Sequence, residues 1–233
     1  MSKSPVLNVQ NIRFAYTKEK PLLDINEFTI MNGESVFLRG PSGSGKSTLL
    51  GLIGGVLNCQ QGDISIAGKN LARLSAAQRD QLRADHLGII FQQFNLLPYL
   101  GILQNCALPC RFSKRRYIHA TAKYASVNEA ALDLTLRLGL EKDALHRPVS
   151  ELSVGQQQRV AVARALIGGP DLIIADEPTS ALDHENRDRF VELLNTQRQS
   201  FGSSLLFVSH DQTLEPHFDR VVALAELNQQ ELV

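Results

Sequence analysis

One glycine-rich segment limits the folds open to this chain more than any other stretch. It reads GPSGSGKST, occupies residues 40–48 and follows the apolar run SVFLR. A strand that gives way to glycines and then to Lys-Ser-Thr is typical of a loop whose free amides and helix N-terminus face a phosphate. The spacing fits G-x-x-x-x-G-K-[ST], which arises by chance in about one chain in a hundred of this length. The alternative is a plain glycine turn beside a solvated lysine.

The residue types in this segment, here called the phosphate loop, suit separate tasks. Gly43 and Gly45 let the backbone approach the phosphates, and Lys46 is expected to bridge the β- and γ-phosphates. The Ser47 hydroxyl is expected to ligate magnesium. The predicted nucleotide-binding residues of the loop are Gly40, Pro41, Ser42, Gly43, Ser44, Gly45, Lys46, Ser47 and Thr48.

Polar residues follow three apolar runs of the sequence. SVFLR is followed by Gly40, LIIA by Asp176 and Glu177, and LLFV by Ser209 and His210. The ends of parallel strands lie at one edge of a sheet, where ligands of α/β folds bind, so these residues are expected to converge. Asp176 can then hold the same magnesium ion, and Glu177 can orient or deprotonate an attacking water. An Asp-Glu-Pro turn that caps the next helix is the alternative.

The order of strand and helix patterns indicates an α/β fold. Residues 6–40 alternate and turn at Asn-Gly, which is typical of short strands, and residues from about 95 to 160 have a helical pattern. The helical spacing of apolar residues is seen at Val127, Ala130, Ala131, Leu134 and Leu138. The runs DLIIADE and SSLLFVSHD then flank a further helical segment, which predicts parallel strands joined by right-handed crossovers. A helical sub-domain inserted in an α/β core is the prediction.

Composition excludes several classes of protein. The 233 residues are 43% hydrophobic, and 24 basic residues balance 24 acidic ones, so no nucleic-acid partner is expected. No apolar stretch approaches the roughly twenty residues that cross a bilayer, so any membrane role is expected to be peripheral. Three cysteines and a start without an apolar signal segment favour a reducing cytosol. Cys106 and Cys110 are expected to be buried small hydrophobes rather than half of a metal site.

A second helix start carries a family resemblance. In ELSVGQQQRVAVARAL, Ser153 and Gln156 have the spacing of a capping box. Leu152 to Gln156 read LSVGQ, which resembles the Leu-Ser-Gly-Gly-Gln signature of ATP-binding-cassette (ABC) transporter ATPases, and the resemblance spans nearly the whole chain. It implies one ABC ATPase domain over residues 1–233. Residues of about 1–94 and 160–233 would form a mostly parallel core with an N-terminal antiparallel β sub-domain, and about 95–159 the helical sub-domain.

The resemblance also implies four further roles. Tyr16 matches the aromatic residue that stacks on adenine, and Gln92 matches the glutamine that senses magnesium and the lytic water. Asp183 matches the loop that touches the opposing subunit, and His210 matches the switch histidine at the γ-phosphate. Three alternatives stay open: Tyr16 as a strand-face aromatic, Gln93 in the role of Gln92, and His210 as a capping residue.

The family further implies a dimer and a transporter. Two copies would meet head to tail, so that each ATP and its Mg2+ lie between the phosphate loop of one copy and Ser153, Gly155 and Gln156 of the other. Transport would need separate permease subunits, held in a groove between Gln92 and the helical sub-domain. The chain would then be peripheral on the cytoplasmic face of the inner (plasma) membrane. The sequence looks most like the branch that serves lipoprotein release, macrolide export and related extrusion.

Two features leave the function less determined. Val154 replaces the first signature glycine, and a β-branched residue disfavours positive φ and adds bulk, so reduced or tuned turnover is expected. Residues 111–123 carry five basic residues and no acid, and form either a surface for permease or anionic lipid or a solvated helix face. The competing functions are a soluble ABC-type clamp and a weakly hydrolysing nucleotide-dependent regulator.

Overall fold

The chain folds around two sheets. The computed structural model describes residues 4–17, 21–180 and 182–229. Its strands are β1 (Pro5–Phe14), β2 (Leu23–Met31), β3 (Ser35–Arg39), β4 (Gln61–Ile66), β5 (Lys69–Asn70), β6 (Leu87–Ile90), β7 (Leu172–Asp176), β8 (Ser204–Ser209) and β9 (Arg220–Ala223). Its helices are α1 (Lys46–Ile53), α2 (Ala76–His86), α3 (Ile102–Phe112), α4 (Lys114–Thr121), α5 (Val127–Arg137), α6 (Val154–Leu166), α7 (His184–Phe201) and α8 (Leu224–Leu227).

The central sheet is parallel and has the order β6-β7-β8-β3-β9. Its middle strands are apolar almost throughout because both of their faces are covered. Val36 and Leu38 of β3 belong to one hydrophobic core and Phe37 to the other. The three apolar runs of the sequence are therefore neighbouring strands, and their carboxyl ends share one edge, as predicted.

A second, antiparallel sheet forms the N-terminal sub-domain and has the order β2-β1-β4-β5. Its core-facing side chains pack with α1 on one side of the parallel sheet. The pairing of β1 with β4 shifts register between Gln10 and Arg13. Gly62 permits this shift, because a Cβ there would lie 2.2 Å from the Asn11 carbonyl oxygen.

Helices α3, α5 and α6 cover the other side of the parallel sheet. Of the residues predicted to face inward on α5, Ala130, Ala131 and Leu134 are buried, as is Leu138 just beyond the helix, and Val127 is half-buried against the same core. Cys106 and Cys110 are also buried, and burial raises the pKa of the Cys106 thiol to about 12. The prediction that these cysteines act as small hydrophobes is confirmed. The α/β fold with an inserted helical sub-domain is confirmed as well.

The basic stretch at residues 111–123 is not one uniform surface, so neither sequence-based alternative applies to the whole of it. Arg116 is only 2% exposed, and its guanidinium donates hydrogen bonds to the carbonyl oxygens of Ile167 (2.7 Å) and Ala165 (2.6 Å). Arg115 donates to Asp171 at 3.0 Å. Arg116 is internal because carbonyl oxygens surround its guanidinium, and Arg115 is partly buried beside the Asp171 carboxylate. The remaining basic residues of the stretch are exposed.

Over residues 4–17, 21–180 and 182–229, no helix combines the length and the apolar character needed to span a membrane.

Candidate nucleotide site

The phosphate loop connects the end of β3 to the start of α1. Gly43 and Gly45 have φ values of 80° and 99°, in the region that residues with a Cβ rarely adopt. A Cβ on Gly40 would lie 2.8 Å from the Ser44 hydroxyl. The loop therefore needs glycine at these three positions to bring its backbone around the N-terminus of α1. Amides so arranged form an anion site.

Lys46 extends from the first turn of α1 back across the loop. Its ammonium donates hydrogen bonds to the carbonyl oxygens of Gly40 (2.6 Å) and Pro41 (2.9 Å). The same Nζ lies 3.8 Å from Oε1 of Glu177, and the Lys46 side chain is almost fully buried. The lysine charge is thus placed between the loop and the acidic end of β7. That position suits an ammonium that contacts bound phosphate.

A cavity of about 700 Å³ opens at this edge of the parallel sheet. It is lined by Leu22, Pro41, Ser42, Gly43, Gly45, Lys46, Ser47, Thr48, Gln92, Asp176, Glu177, Ser180 and His210. Residues from five separate parts of the sequence are therefore brought together, and three of these parts are the strand ends that the sequence predicts to converge. Leu22 and Ser180 were missed, because neither belongs to a motif whose chemistry identifies it.

The acidic residues at the end of β7 differ in environment. Burial, and then the neighbouring charge of Glu177, raise the pKa of Asp176, although Lys46 partly opposes them. Glu177 has a φ of 48°, a left-handed conformation that costs a non-glycine residue roughly 1–2 kcal/mol. Its amide donates to the Val208 carbonyl at 2.9 Å, which helps to hold that conformation. Such strain at a cavity wall is characteristic of functional residues.

Glu177 is also hydrogen-bonded to His210. Nδ1 of His210 lies 2.8 Å from Oε2 of Glu177, and the imidazole is exposed at the cavity wall. The Glu177 carboxylate therefore has Lys46 near one oxygen and His210 on the other. Chemically, this is a carboxylate that can accept a proton while its orientation is fixed by a histidine.

The positions of Gln92 and Tyr16 bear on two of the alternatives left open by sequence. Gln92 and Gln93 are both exposed, and of the two it is Gln92 that lines the cavity. Tyr16 lies just beyond β1, where its ring and that of Phe14 make a perpendicular contact with centroids 5.0 Å apart, and its hydroxyl lies 3.2 Å from the Thr48 hydroxyl. The Tyr16 side chain is 66% exposed beside the loop.

The signature residues lie on a different cavity of the same chain. Ser153 and Gln156 form the predicted capping box: Gln156 N donates to the Ser153 hydroxyl at 3.3 Å, and Ser153 N donates to Gln156 Oε1 at 3.0 Å. Ser153 and Gly155 line a cavity of about 340 Å³ that none of the phosphate-loop residues lines. Asp183 caps α7 by accepting from Asn186 N at 2.9 Å, and this bond lowers its pKa.

Val154 occupies a position that differs from the one expected. It is the first residue of α6 and has right-handed helical backbone, so the concern about positive φ is wrong. The concern about bulk remains, since its side chain is 48% exposed at the helix start. A Cβ on Gly155 would meet nothing within 4 Å, so no contact within the described chain requires glycine there.

Comparison with known proteins gives the same architecture. The family described as ABC transporter matches residues 23–180. A post-hydrolysis dimer of the ATP-binding cassette MJ0796, bound to ADP and Pi, is 32% identical over 93% of each chain, with a TM-score of 0.77. A second dimeric structure of MJ0796, a bacterial ABC transporter cassette, gives 32% identity, the same coverage and a TM-score of 0.78.

A third structure supports the fold alone. CbiO1 from Clostridium perfringens, part of the ABC transporter complex CbiONQ, is 24% identical over 95% of this chain and 85% of its own, with a TM-score of 0.80. The family match, the MJ0796 identity and the site geometry agree. The chain therefore belongs to the ABC transporter family, as one of its ATP-hydrolysing, ATP-binding cassettes.

Proposed function

We propose that this cassette is the ATPase subunit of a transporter, that it closes as a head-to-tail dimer around two ATP molecules, and that it drives a separate membrane permease. One observation supports the proposed dimer: the two halves of the expected nucleotide site line different cavities of one chain. Lys46 and Glu177 line one, while Ser153 and Gly155 line the other. Open space beside Gly155 leaves room for a phosphate brought by a second copy.

Magnesium fits the donors present in the cavity. Ser47, Gln92 and Asp176 offer oxygen ligands, and Mg2+ prefers one or two carboxylates together with substrate phosphates. The raised pKa of Asp176 fits too, because a cation there would relieve the repulsion from Glu177. When bound, the ion would neutralise charge on the transferred phosphoryl group. The chain's own contribution is to place these three side chains on the wall of one cavity.

Glu177 is the proposed base for the attacking water. Its carboxylate is held by His210 and lies on the cavity wall beside the phosphate loop. Lys46 would leave the carbonyl oxygens of Gly40 and Pro41 to contact phosphate, and its departure would free Glu177 Oε1. Tyr16 is the proposed adenine contact, and Asp183 the contact to the second copy.

An apolar groove supports a permease partner. It has a volume of about 600 Å³ and lies between α2, β6 and α3. Its lining includes Ile89, Phe91, Leu108, Pro109 and Phe112. Phe91 is adjacent to Gln92, so an apolar helix seated in this groove would lie one residue away from the nucleotide cavity. A movement in the groove would then displace residues of the nucleotide cavity, and the reverse.

We further propose an extrusion-type transporter of the lipoprotein-release or macrolide-export kind, peripheral on the cytoplasmic face of the inner membrane. The support is the resemblance of FQQFNLLPYLGILQNCALP and of the segment from the signature to SALD.

Affinity purification from detergent-solubilised membranes tests the permease. The chain is expected to recover an integral membrane protein, and Phe91→Glu is expected to lose it while folding normally. Tyr99→Glu is the matched control, because Tyr99 is exposed but does not line the groove. Recovery of no integral membrane protein by the unchanged chain would instead favour a soluble clamp.

A second candidate, a weakly hydrolysing regulator, is favoured by one observation, the exposed Val154 side chain at the start of α6. Val154→Gly should raise ATP turnover if the side chain hinders closure on the phosphate. Turnover is measured with the partner present. An unchanged rate would show that the valine is tolerated without consequence.

A further inference from the structure

Helix α4 has its polar and apolar residues inverted. A surface helix ordinarily turns apolar residues inward and charged ones outward. In α4 the buried residues are Arg116 and Ala120, whereas Tyr117 and Ile118 are 51% and 53% exposed. On the inner side of α4, the burial of Arg116 is explained by the carbonyl oxygens that surround its guanidinium. On its outer side, the described residues leave Tyr117 and Ile118 about half exposed.

The outward side chains form one basic and aromatic surface, here called the α4 patch: Arg111, Phe112, Lys114, Tyr117 and Ile118. Lys114, Tyr117 and Ile118 stand at i, i+3 and i+4 and so share one helix face. Phe112 is 66% exposed at the end of α3. Residues 111–123 contain no acid, and no ion pair of Arg111 or Lys114 is found in the described part of the chain.

The patch is mounted rigidly on the rim of the apolar groove. Ser113, between α3 and α4, donates a hydrogen bond to Asp85 at 2.5 Å. Gln81 donates to the Phe112 carbonyl at 3.3 Å, which ties the same corner to α2. Phe112 itself lines the groove. The α4 patch is therefore continuous with the groove, and a membrane protein seated in the groove would bring lipid next to the patch.

We propose that the α4 patch binds the surface of a membrane that contains anionic lipids. The rings of Phe112 and Tyr117 suit the headgroup level, where amphipathic aromatics gather, and Ile118 adds apolar area at the acyl boundary. Arg111 and Lys114 supply the attraction to lipid phosphates while their alkyl stems stay on the apolar surface. This inference rests on the proposed function, because the permease is what would hold the patch at the membrane.

The binding is weak but measurable without the permease, and it is strengthened beside the permease. Each basic side chain near an anionic surface strengthens partitioning by about fivefold, so two of them give roughly twenty-five-fold. A few exposed apolar side chains add a reversible contribution. A chain that is already held by its permease has a high effective concentration at the lipid surface, so the patch would be bound to lipid for much of the time although its affinity is weak. An acidic protein surface would attract the two basic residues equally well. It would not explain why Phe112, Tyr117 and Ile118 also point outward.

Vesicle flotation with the purified full-length chain tests the lipid. Phosphatidylcholine vesicles with phosphatidylglycerol should recover the protein at low salt, and pure phosphatidylcholine vesicles should not. Arg111→Glu/Lys114→Glu should reduce recovery at least about tenfold. Arg73→Glu/Lys142→Glu is the matched control, with the same charge change at exposed residues outside the patch, and should bind nearly as well as the unchanged chain.

A second pair of variants tests the apolar component. Tyr117→Ser/Ile118→Ser should lower recovery several-fold without lowering the thermal midpoint, whereas Val56→Ser, at another exposed apolar residue, should change neither. Equal recovery by both vesicle types, or equal loss in patch and control variants, overturns the proposal. Binding that appears only when the vesicles carry the permease also overturns the proposal. The other flotation assays contain no permease, so their failure would not contradict the proposed permease groove, which the co-purification experiment tests.

Discussion

Replacing Arg116 by methionine should destabilise the whole chain, although sequence places this residue in a basic surface stretch. The guanidinium donates to four carbonyl oxygens: Nε to Ile167 (2.7 Å), and Nη2 to Ala165 (2.6 Å) and Arg164 (3.3 Å), with Nη1 to Leu87 (3.2 Å). Three of these close the C-terminal end of α6, whose last carbonyls have no partner within the helix. Burial lowers the pKa of Arg116 to about 10, so it is still charged at neutral pH.

The size of the effect follows from the two short bonds. Losing the donor leaves the buried carbonyl oxygens of Ile167 and Ala165 unsatisfied, at about 1–3 kcal/mol each. The two longer bonds add little. Methionine keeps most of the stem volume, and removing a buried charge recovers part of its desolvation cost. The expected loss in the free energy of unfolding is therefore about 3 kcal/mol.

Equilibrium urea unfolding with linear extrapolation measures this loss. Lys114→Met, on the exposed face of the same helix, is the control and should change the free energy of unfolding by no more than about 0.5 kcal/mol. Arg116→Lys should fall between them, because one ammonium cannot reach both strong acceptors. A loss below about 1 kcal/mol for Arg116→Met would refute the assignment of Arg116 as the cap of α6.

Three further changes test the site and the fold. Glu177→Gln should lower ATP turnover about 10²–10⁴-fold while nucleotide binding persists, and normal turnover would contradict its role as base. Lys46→Ala should weaken ATP binding by about tenfold or more in equilibrium titration, and an unchanged Kd would exclude the phosphate contact. Burial raises the pKa of Asp171, but His86 and Arg115 outweigh it and lower the pKa below its usual range. Asp171→Asn should therefore cost stability at pH 7, and the cost should disappear as pH falls below about 4 through the folded-state pKa. A difference from the unchanged chain that stays constant down to pH 3 in urea unfolding would refute this linkage.

The nucleotide cavity was largely predictable because its parts depend on short-range rules. The glycines at residues 43 and 45 predict backbone with positive φ, and the apolar runs before residues 176 and 209 predict strands that are buried on both faces. Parallel pairing then brings the strand ends together whatever the rest of the chain does. The choice between Gln92 and Gln93 was different, since adjacent residues in a loop can point either way and only the folded loop decides.

Local pattern alone predicted a phosphate-binding turn between a strand and a helix, and it predicted that Asp176 and Glu177 lie beside that turn, where the structure places them. The tertiary structure decided which face of α4 is inside. The helical period places Arg116 on the face opposite Tyr117 and Ile118, but it does not say which of the two faces packs against the core. Residue type alone would have placed the arginine on the solvent side. The carbonyls that hold it come from the end of α6 and from β6, far away in the sequence, and only their convergence supplies the hydrogen bonds that a buried guanidinium requires.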